Sequence, residues 1–495
     1  MKSLNNLKYW RLLLIALVAG FASCTEEDDP VVPDDQDKGQ VMVTNQSGTT
    51  LINNKTIEVG TVDNDVVFET FSVVMTSTGK HEEYTLNCCG MGAFAMKNGA
   101  QDPDISVENS TLINRGTINI HTRDLVEKYK DQIQTPTNTD LRYKYLRVLV
   151  MYAGKNSTVV NDGIINVYFD HDPYADTWVY AMGMVSGEGS SIVNNGEIHF
   201  YGNGSVATRM RAVATFADNI VVENHGIITA DVQMADDSRA ITTGGSFSEV
   251  YNDGYINFRL PGTITCLTRY GDTKLTNDGT IEITNTSIPA GHTSITDSIN
   301  KFACALYEPL QASRTGMPPM INRGNITMTI EGLEDPQRRA YGMFFDLQGA
   351  GAEKLNPVII NEGTIKVNNP DPKTYEMAEA VFNTRPHATD GACNITLSTW
   401  KTRLRDFSQA GDLFVARGVK MNFTETTLLL DADNEYAEGT AYSVAPEALM
   451  NNVGGDTYRF EYSEYDQMTV KAASNDYVLN WDKEAKTASL AKKKN

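Results

Sequence analysis

Residues 192–200 read Ile192-Val193-Asn194-Asn195-Gly196-Glu197-Ile198-His199-Phe200, and the fold turns on this string because the chain keeps returning to it. The pattern is apolar-x-Asn-x-Gly-x-Ile-x-apolar, and its asparagines are Asn53, Asn114, Asn161, Asn194, Asn224, Asn252, Asn277, Asn322 and Asn361. Four residues after every one stands an isoleucine, from Ile57 to Ile365. Two residues after it stands glycine in every copy but the first, where Lys55 takes the place. The residues two before it, from Leu51 to Ile359, and six after it, from Val59 to Val367, are apolar throughout.

Apolar residues at +4 and +6 share one face of a strand, and the residue at −2 ends the preceding strand facing the same interior. A helical period does not fit these positions. Between the strands the chain must turn sharply, which suggests that the glycine is there to supply a positive φ. Central copies recur every 25–33 residues. The interval of 61 between Asn53 and Asn114 predicts two turns with one degenerate copy between them. A tenth, weaker copy, Gly391-Ala392-Cys393-Asn394-Ile395-Thr396-Leu397, aligns Ile395 and Leu397 with Ile326 and Met328.

A coil of about 30 residues is too thin to hold its own core, so coils must stack to bury their apolar faces. The predicted fold is all-β: a single-stranded, right-handed parallel β-helix (β-solenoid) of about 11–13 coils between residues 41 and 430. Equivalent asparagines would then lie about 4.8 Å apart and form a hydrogen-bonded ladder inside the turn. These asparagines are structural, and no catalytic role is assigned to them. A second column, Tyr180-Ala181, Arg211-Ala212, Arg239-Ala240, Arg339-Ala340 and Glu379-Ala380, places alanine against a narrow interior. Residues 431–495 lose the repeat and read as a C-terminal β-rich cap, with a short helix around 437–450 and strands at 458–462, 468–472 and 477–481. The repeat resembles the right-handed parallel β-helix class that includes pectate lyases, autotransporter passenger domains and many bacterial surface proteins. That resemblance covers about four fifths of the chain and implies architecture more strongly than chemistry.

The chain has 495 residues, 42 basic and 63 acidic, for a net charge of −21. Such an acidic excess argues against a nucleic-acid partner. Gly (38) and Asn (about 40) are abundant, as a turn-rich chain requires. At the start, Lys2, Lys8 and Arg11 precede an apolar run from Leu12 to Ala22 and then Phe21-Ala22-Ser23-Cys24. This resembles a bacterial lipoprotein signal spanning residues 1–23, with Cys24 as the lipidated first residue of the mature chain. Its acyl chains would be the membrane partner. Residues 24–40 carry seven acids and two prolines and read as a solvated tether. An acidic cluster directly after the cysteine resembles the export signal of surface lipoproteins in the Bacteroidota. It implies an outer-membrane, lipid-anchored protein facing the exterior. The tether carries −6, so about −18 remains on the body once three basic signal residues are removed.

Chemistry is written less clearly. The β-helix resemblance implies that an enzyme on this fold would work in a lateral groove, as a polysaccharide lyase or glycoside hydrolase. The acids Asp170, Asp172 and Asp176 offer oxygen ligands for calcium, although no cofactor is required and the twelve-residue EF-hand spacing is absent. Asp236-Asp237 is a second acidic pair. Arg147, Arg211, Arg239 and Arg339 recur at comparable distances from the repeat and form a candidate column for clamping sulfated or uronic acid glycans. Tyr174, Trp178, Tyr180, Tyr341 and Phe345 are candidate sugar-stacking residues. The five cysteines after Cys24, an odd number widely spaced, read as buried small residues rather than as a disulfide framework. The expectation is a monomeric, non-catalytic carbohydrate-binding or adhesin-like module; a lyase or hydrolase and a purely structural rod are the alternatives.

Overall fold

A computed structural model describes residues 38–60, 86–94, 107–129, 146–171, 179–205, 208–215, 217–270, 272–287, 302–311, 318–331, 339–348, 357–368, 376–384, 393–404, 413–415, 419–422, 424–432, 436–443, 468–482, 484–485 and 487–494. The chain divides into two units, 1–38 and 39–495. The signal segment, Cys24, the tether up to residue 37, Asp172, Tyr174, Asp176 and Trp178 lie outside the described residues. Among the described residues no helix is long and apolar enough to cross a membrane.

Three long parallel sheets wind around one core. Among the described residues sheet A holds ten strands, sheet B eleven and sheet C thirteen, and the strands of each sheet come from successive coils. The path runs from C through the Asn corner into A, then to B and back to C. Parallel strands joined by crossovers of this kind wind right-handed. Sheet A places the repeat isoleucines in register: Ile57 opposite Ile118, Ile165 opposite Ile198, Ile228 opposite Ile256 and Ile326 opposite Ile365. All of them are almost fully buried in one continuous cluster that also holds Leu112, Val159 and Ile192 from sheet C. Each such side chain contributes about 1.5–3 kcal/mol on burial.

The Asn corner has a tighter logic than its sequence suggests. Asn53 Nδ2 donates to Asn114 Oδ1 at 2.8 Å, and the same bond passes along all nine asparagines to Asn361 at 2.6–2.8 Å. At the first rung Lys55 N donates to Asn53 Oδ1, while Asn53 Nδ2 also donates to the Lys55 carbonyl; at the last, Asn361 Nδ2 donates to the Lys401 carbonyl. From Asn53 to Asn322 the Asn carbonyls accept from the next coil as well, as Asp253 and Gly254 N–H donate to Asn224 O. Buried amides are thereby satisfied on every side.

The glycines are not there for positive φ, since none of the repeat glycines adopts it. They are there because the corners stack backbone to backbone. A Cβ on Gly254 would lie 2.1 Å from Gly226 O, and one on Gly116 would lie 2.1 Å from Lys55 O. Lys55 itself sits in the corner after Thr50–Asn53, the first strand of sheet C, with no earlier sheet C corner beneath it among the described residues. That is why the exception falls there.

Two other expectations are corrected. Strand Thr50–Asn53 pairs directly with Thr111–Asn114, so the interval of 61 is one coil with long insertions. Strand Cys393–Arg403 belongs to sheet C: Leu397 faces Ile359, and after a bulge the fully buried Trp400 takes the place opposite Asn361. The register inferred for Ile395 and Leu397 was therefore that of the wrong sheet.

At the C-terminal end, Thr469–Ala472 still stacks on Thr427–Asp431 of sheet C, beyond the expected limit of the helix at 430. Strands Tyr442–Ser443, Tyr477–Asp482 and Thr487–Lys492 then form an antiparallel sheet whose Ala488 and Leu490 are fully buried in the main core cluster. Residues 437–443 are turn and strand rather than helix; 444–450 and 458–462 lie outside the described residues.

Candidate functional site

The outer face of sheet B is where the solenoid departs from its own pattern. One outward column runs through Cys89, Leu149, Met182, Arg211, Arg239, Thr265, Cys304 and Tyr341, in coil order. Before the arginines it belongs to a buried apolar cluster with Phe94, Tyr152, Val185 and Ala214. After them it belongs to another, with Phe302, Tyr307 and Phe344. Two guanidinium groups thus interrupt a largely apolar column of the outer face.

Neighbouring residues complete the cluster. In the adjacent column Arg147, Tyr180, Arg209 and Asp237 lie side by side. Arg239 donates to Asp237 through Nε at 2.9 Å and Nη2 at 3.1 Å, and through Nη1 to Tyr270 OH at 2.7 Å. Arg211 Nη2 reaches the same carboxylate at 3.5 Å, and Arg209 Nη2 donates to Asp236 Oδ2 at 3.1 Å. The Arg211 guanidinium lies 5.1 Å from the centre of the Tyr180 ring, and that of Arg239 lies 5.9 Å from Tyr270. Side-chain exposure of Arg211, Arg239 and Asp237 is 12–18%. Charges this poorly hydrated interact more strongly than in water.

Burial works against ionisation of Asp237, but Arg239, Arg211 and Arg209 outweigh it and hold the carboxyl below its usual range. The same proximity to Asp237 outweighs burial and raises Arg239. Burial raises the Tyr180 phenol, partly opposed by Arg211. A carboxylate kept ionised between guanidinium groups is a poor proton acceptor and no proton donor. The arrangement is suited to holding an anion or a polar ring.

The predicted arginine column is two columns. Arg147 and Arg339 fall in one, Arg211 and Arg239 in the other, and Arg339 follows Phe302 well beyond the cluster. The cause is a corner of variable length: nine residues separate Val185 from Asn194, but ten separate Ala214 from Asn224 and Thr242 from Asn252. Counting back from the asparagines therefore slips the register. By the same slip Ala181 faces Met210 rather than Ala212. Arg209 and Tyr270 were not identified from the sequence, since neither belongs to a repeated pattern. Tyr341 and Phe345 are buried and offer no platform.

Sheet A carries an aromatic column on its outer face. His121 stacks on Tyr168 at 4.7 Å and Tyr168 on Tyr201 at 5.8 Å between centroids. These ring faces are occupied by one another, so the column stiffens the sheet rather than presenting faces outward. Asp170 lies at its edge, where Oδ1 accepts from Arg123 N at 2.7 Å at the start of helix Thr122–Tyr129 and Oδ2 lies 3.4 Å from His121 Nδ1. Its carboxylate therefore serves a helix N-terminus. Among the described residues, no three His, Cys, Asp or Glu side chains are placed to hold a metal. Cys89, Cys266 and Cys304 are buried free thiols, and burial pushes the last two well up. The side chains of Cys88 and Cys393 lie outside the described residues.

Residues 30–225 match the family described as BigA third pectate lyase-like domain. The fold is a pectate-lyase-like β-helix. The matched stretch takes in Arg147, Tyr180, Arg209 and Arg211, whereas Asp236, Asp237, Arg239 and Tyr270 lie beyond it. No curated protein and no solved structure matches the chain.

Proposed function

We propose that this β-helix is a carbohydrate-binding or adhesin-like module, carried as a monomer on the outside of the outer membrane by acyl chains on Cys24. The observation that supports the binding role is the arginine pair Arg211–Arg239 set into a largely apolar column of the outer face beside Tyr180 and Tyr270. Guanidinium forks recognise carboxylate and sulfate groups in two-point fashion, and the aromatic rings give a sugar an apolar surface. An acidic glycan is the matching ligand class. The location rests on the signal at residues 1–23 and the acidic tether after Cys24. Binding is favoured over lyase or hydrolase action because Asp237 is clamped in its ionised form. A calcium ion at Asp170, Asp172 and Asp176 is not required.

The test is retention of the detergent-solubilised full-length protein on immobilised polyuronate and sulfated polysaccharide. Retention that weakens with added salt and falls at least tenfold in Arg211→Ala is expected. Retention on neither support, or retention unchanged in that variant, overturns the acidic-glycan reading; release of unsaturated or reducing products replaces binding by catalysis. For the anchor, radiolabelled palmitate should enter the wild type and not Cys24→Ala.

A further inference from the structure

In six coils the corner from sheet B to sheet C holds one residue in the left-handed region, five positions before the ladder asparagine. Gly48 (φ 74°), Asn109 (58°), Asn156 (51°), Gly189 (72°) and Asn219 (59°) fill it in five coils. Glycine and asparagine enter that region at little cost. In a sixth coil the residue is Phe247, with φ 57°. A bulky side chain there is an outlier, and an observed outlier is grounds for seeking a function.

The backbone holds the phenylalanine in place. Asn219 N–H donates to Ser246 O at 2.9 Å, Ser246 N–H to Asp218 Oδ1 at 2.6 Å, and Ile220 N–H to Ser248 Oγ at 3.1 Å. Its ring returns nothing to the core: Phe247 is 70% exposed, the most exposed large apolar residue among those described. Strain is therefore kept without compensation from burial.

We propose that Phe247 is a ligand-binding residue whose ring stacks on one neutral sugar of the bound glycan, an assignment that rests on the carbohydrate reading above. The surroundings choose among occupants. Asp218 and Asn219 of the preceding coil bond to Ser246 beside Phe247, and exposed Glu249 two residues on has exposed Lys274 opposite it in the next coil. A protein hot spot would need a cluster of large anchors excluding water. An anionic membrane surface attracts clusters of basic residues, and one lysine beside two acids is not such a cluster. A pyranose offers one C–H face for the ring and a rim of hydroxyls for the amide, hydroxyl and carboxylates. Lys274 stands opposite Glu249 and offsets it, so the corner presents no net positive charge for uronate or sulfate, and the sugar is neutral. Arg239 stands in strand Asp237–Thr243 of the same coil, which lets one mixed glycan meet both.

Native gel electrophoresis of the full-length protein through gels containing β-glucan, xylan or galactomannan tests this, with Phe247→Asn and Phe247→Trp beside the wild type. Wild type and Phe247→Trp should be retarded by at least one polymer. Phe247→Asn should lose at least about fivefold in apparent affinity while its Tm rises by about 1–2 °C as strain is relieved. Unchanged retardation of Phe247→Asn overturns the assignment. If that variant still binds polyuronate in an Arg211-dependent way, the acidic-glycan reading survives its failure. If Phe247→Asn instead abolishes capture by phosphatidylcholine vesicles, with glycans unaffected, the occupant is wrong.

Discussion

The Asn corner and the outer face of sheet B are built on the same coils and obey opposite rules. At the corner, each coil repeats its neighbour so closely that amides, carbonyls and even missing side chains line up. On sheet B the column changes character from apolar to cationic and back within a few coils. Repetition is how a solenoid satisfies its buried backbone. Departure from repetition is where a surface acquires specificity. Interior positions should thus respond to substitution through stability, and the sheet B face through binding.

The contrast is sharpest at the glycines. Gly254→Ala drives a Cβ onto the Gly226 carbonyl and should cost about 4 kcal/mol or prevent folding, whereas Lys55→Ala should change stability by less than about 0.5 kcal/mol. Thermal or chemical denaturation of the two variants decides it; equal losses would show that the corner does not stack as described. Next comes the interior ion pair of Arg269 and Glu308, both without exposed surface, with Arg269 Nη1 also donating to Thr273 and Pro318 carbonyls. Glu308→Gln should cost about 3 kcal/mol, while Arg269→Met with Glu308→Leu should come near neutrality. A double variant no more stable than the single one would make that pair indispensable to the fold.

Asn224→Ala removes a rung between Asn194 and Asn252 and should cost about 2–3 kcal/mol by leaving buried amide groups unpaired. Combining Arg211→Met and Arg239→Met with Asp237→Leu removes the cations together with the carboxylate they hold, and should shift stability by less than about 1 kcal/mol in urea titration while abolishing polyuronate retention. A loss of several kcal/mol would place these arginines with the structural parts. The smallest effect is that of His225, whose pKa is raised to about 9 by the Glu223 carboxylate 3.8 Å from Nε2, against burial and with help from the 2.7 Å hydrogen bond to Asp253. Because the folded value lies above the unfolded one, this contribution is complete below about pH 6.5 and is lost as pH rises through 9. His225→Gln should flatten the fall of Tm between those values; an unaltered slope would assign it elsewhere.

What the sequence made legible follows the same division. The ladder could be read because its corner has constant length, so Asn, Gly and Ile keep their spacing from Asn53 to Asn361. The purpose of the glycine could not, since φ and carbonyl stacking predict the same residue; only the position of Lys55 separates them. The arginine column was misread because the corner between sheets B and C gains one residue in two coils. Trp400 in an asparagine's place hid the following coil. Phe247 stands at a position that reads Gly or Asn in five other coils, a signal present in the sequence but meaningless until φ is known.

The asparagine ladder has an evolutionary consequence. Each inner rung, from Asn114 to Asn322, receives one hydrogen bond from the coil before and gives one to the coil after, so one such coil can neighbour another. Excising 225–252 in frame would bring Asn224 against Asn277 with the same donor and acceptor facing each other. The gene can thus lengthen or shorten its product by whole coils through unequal recombination. The reach of the molecule is then free to vary separately from the few coils that carry its arginines.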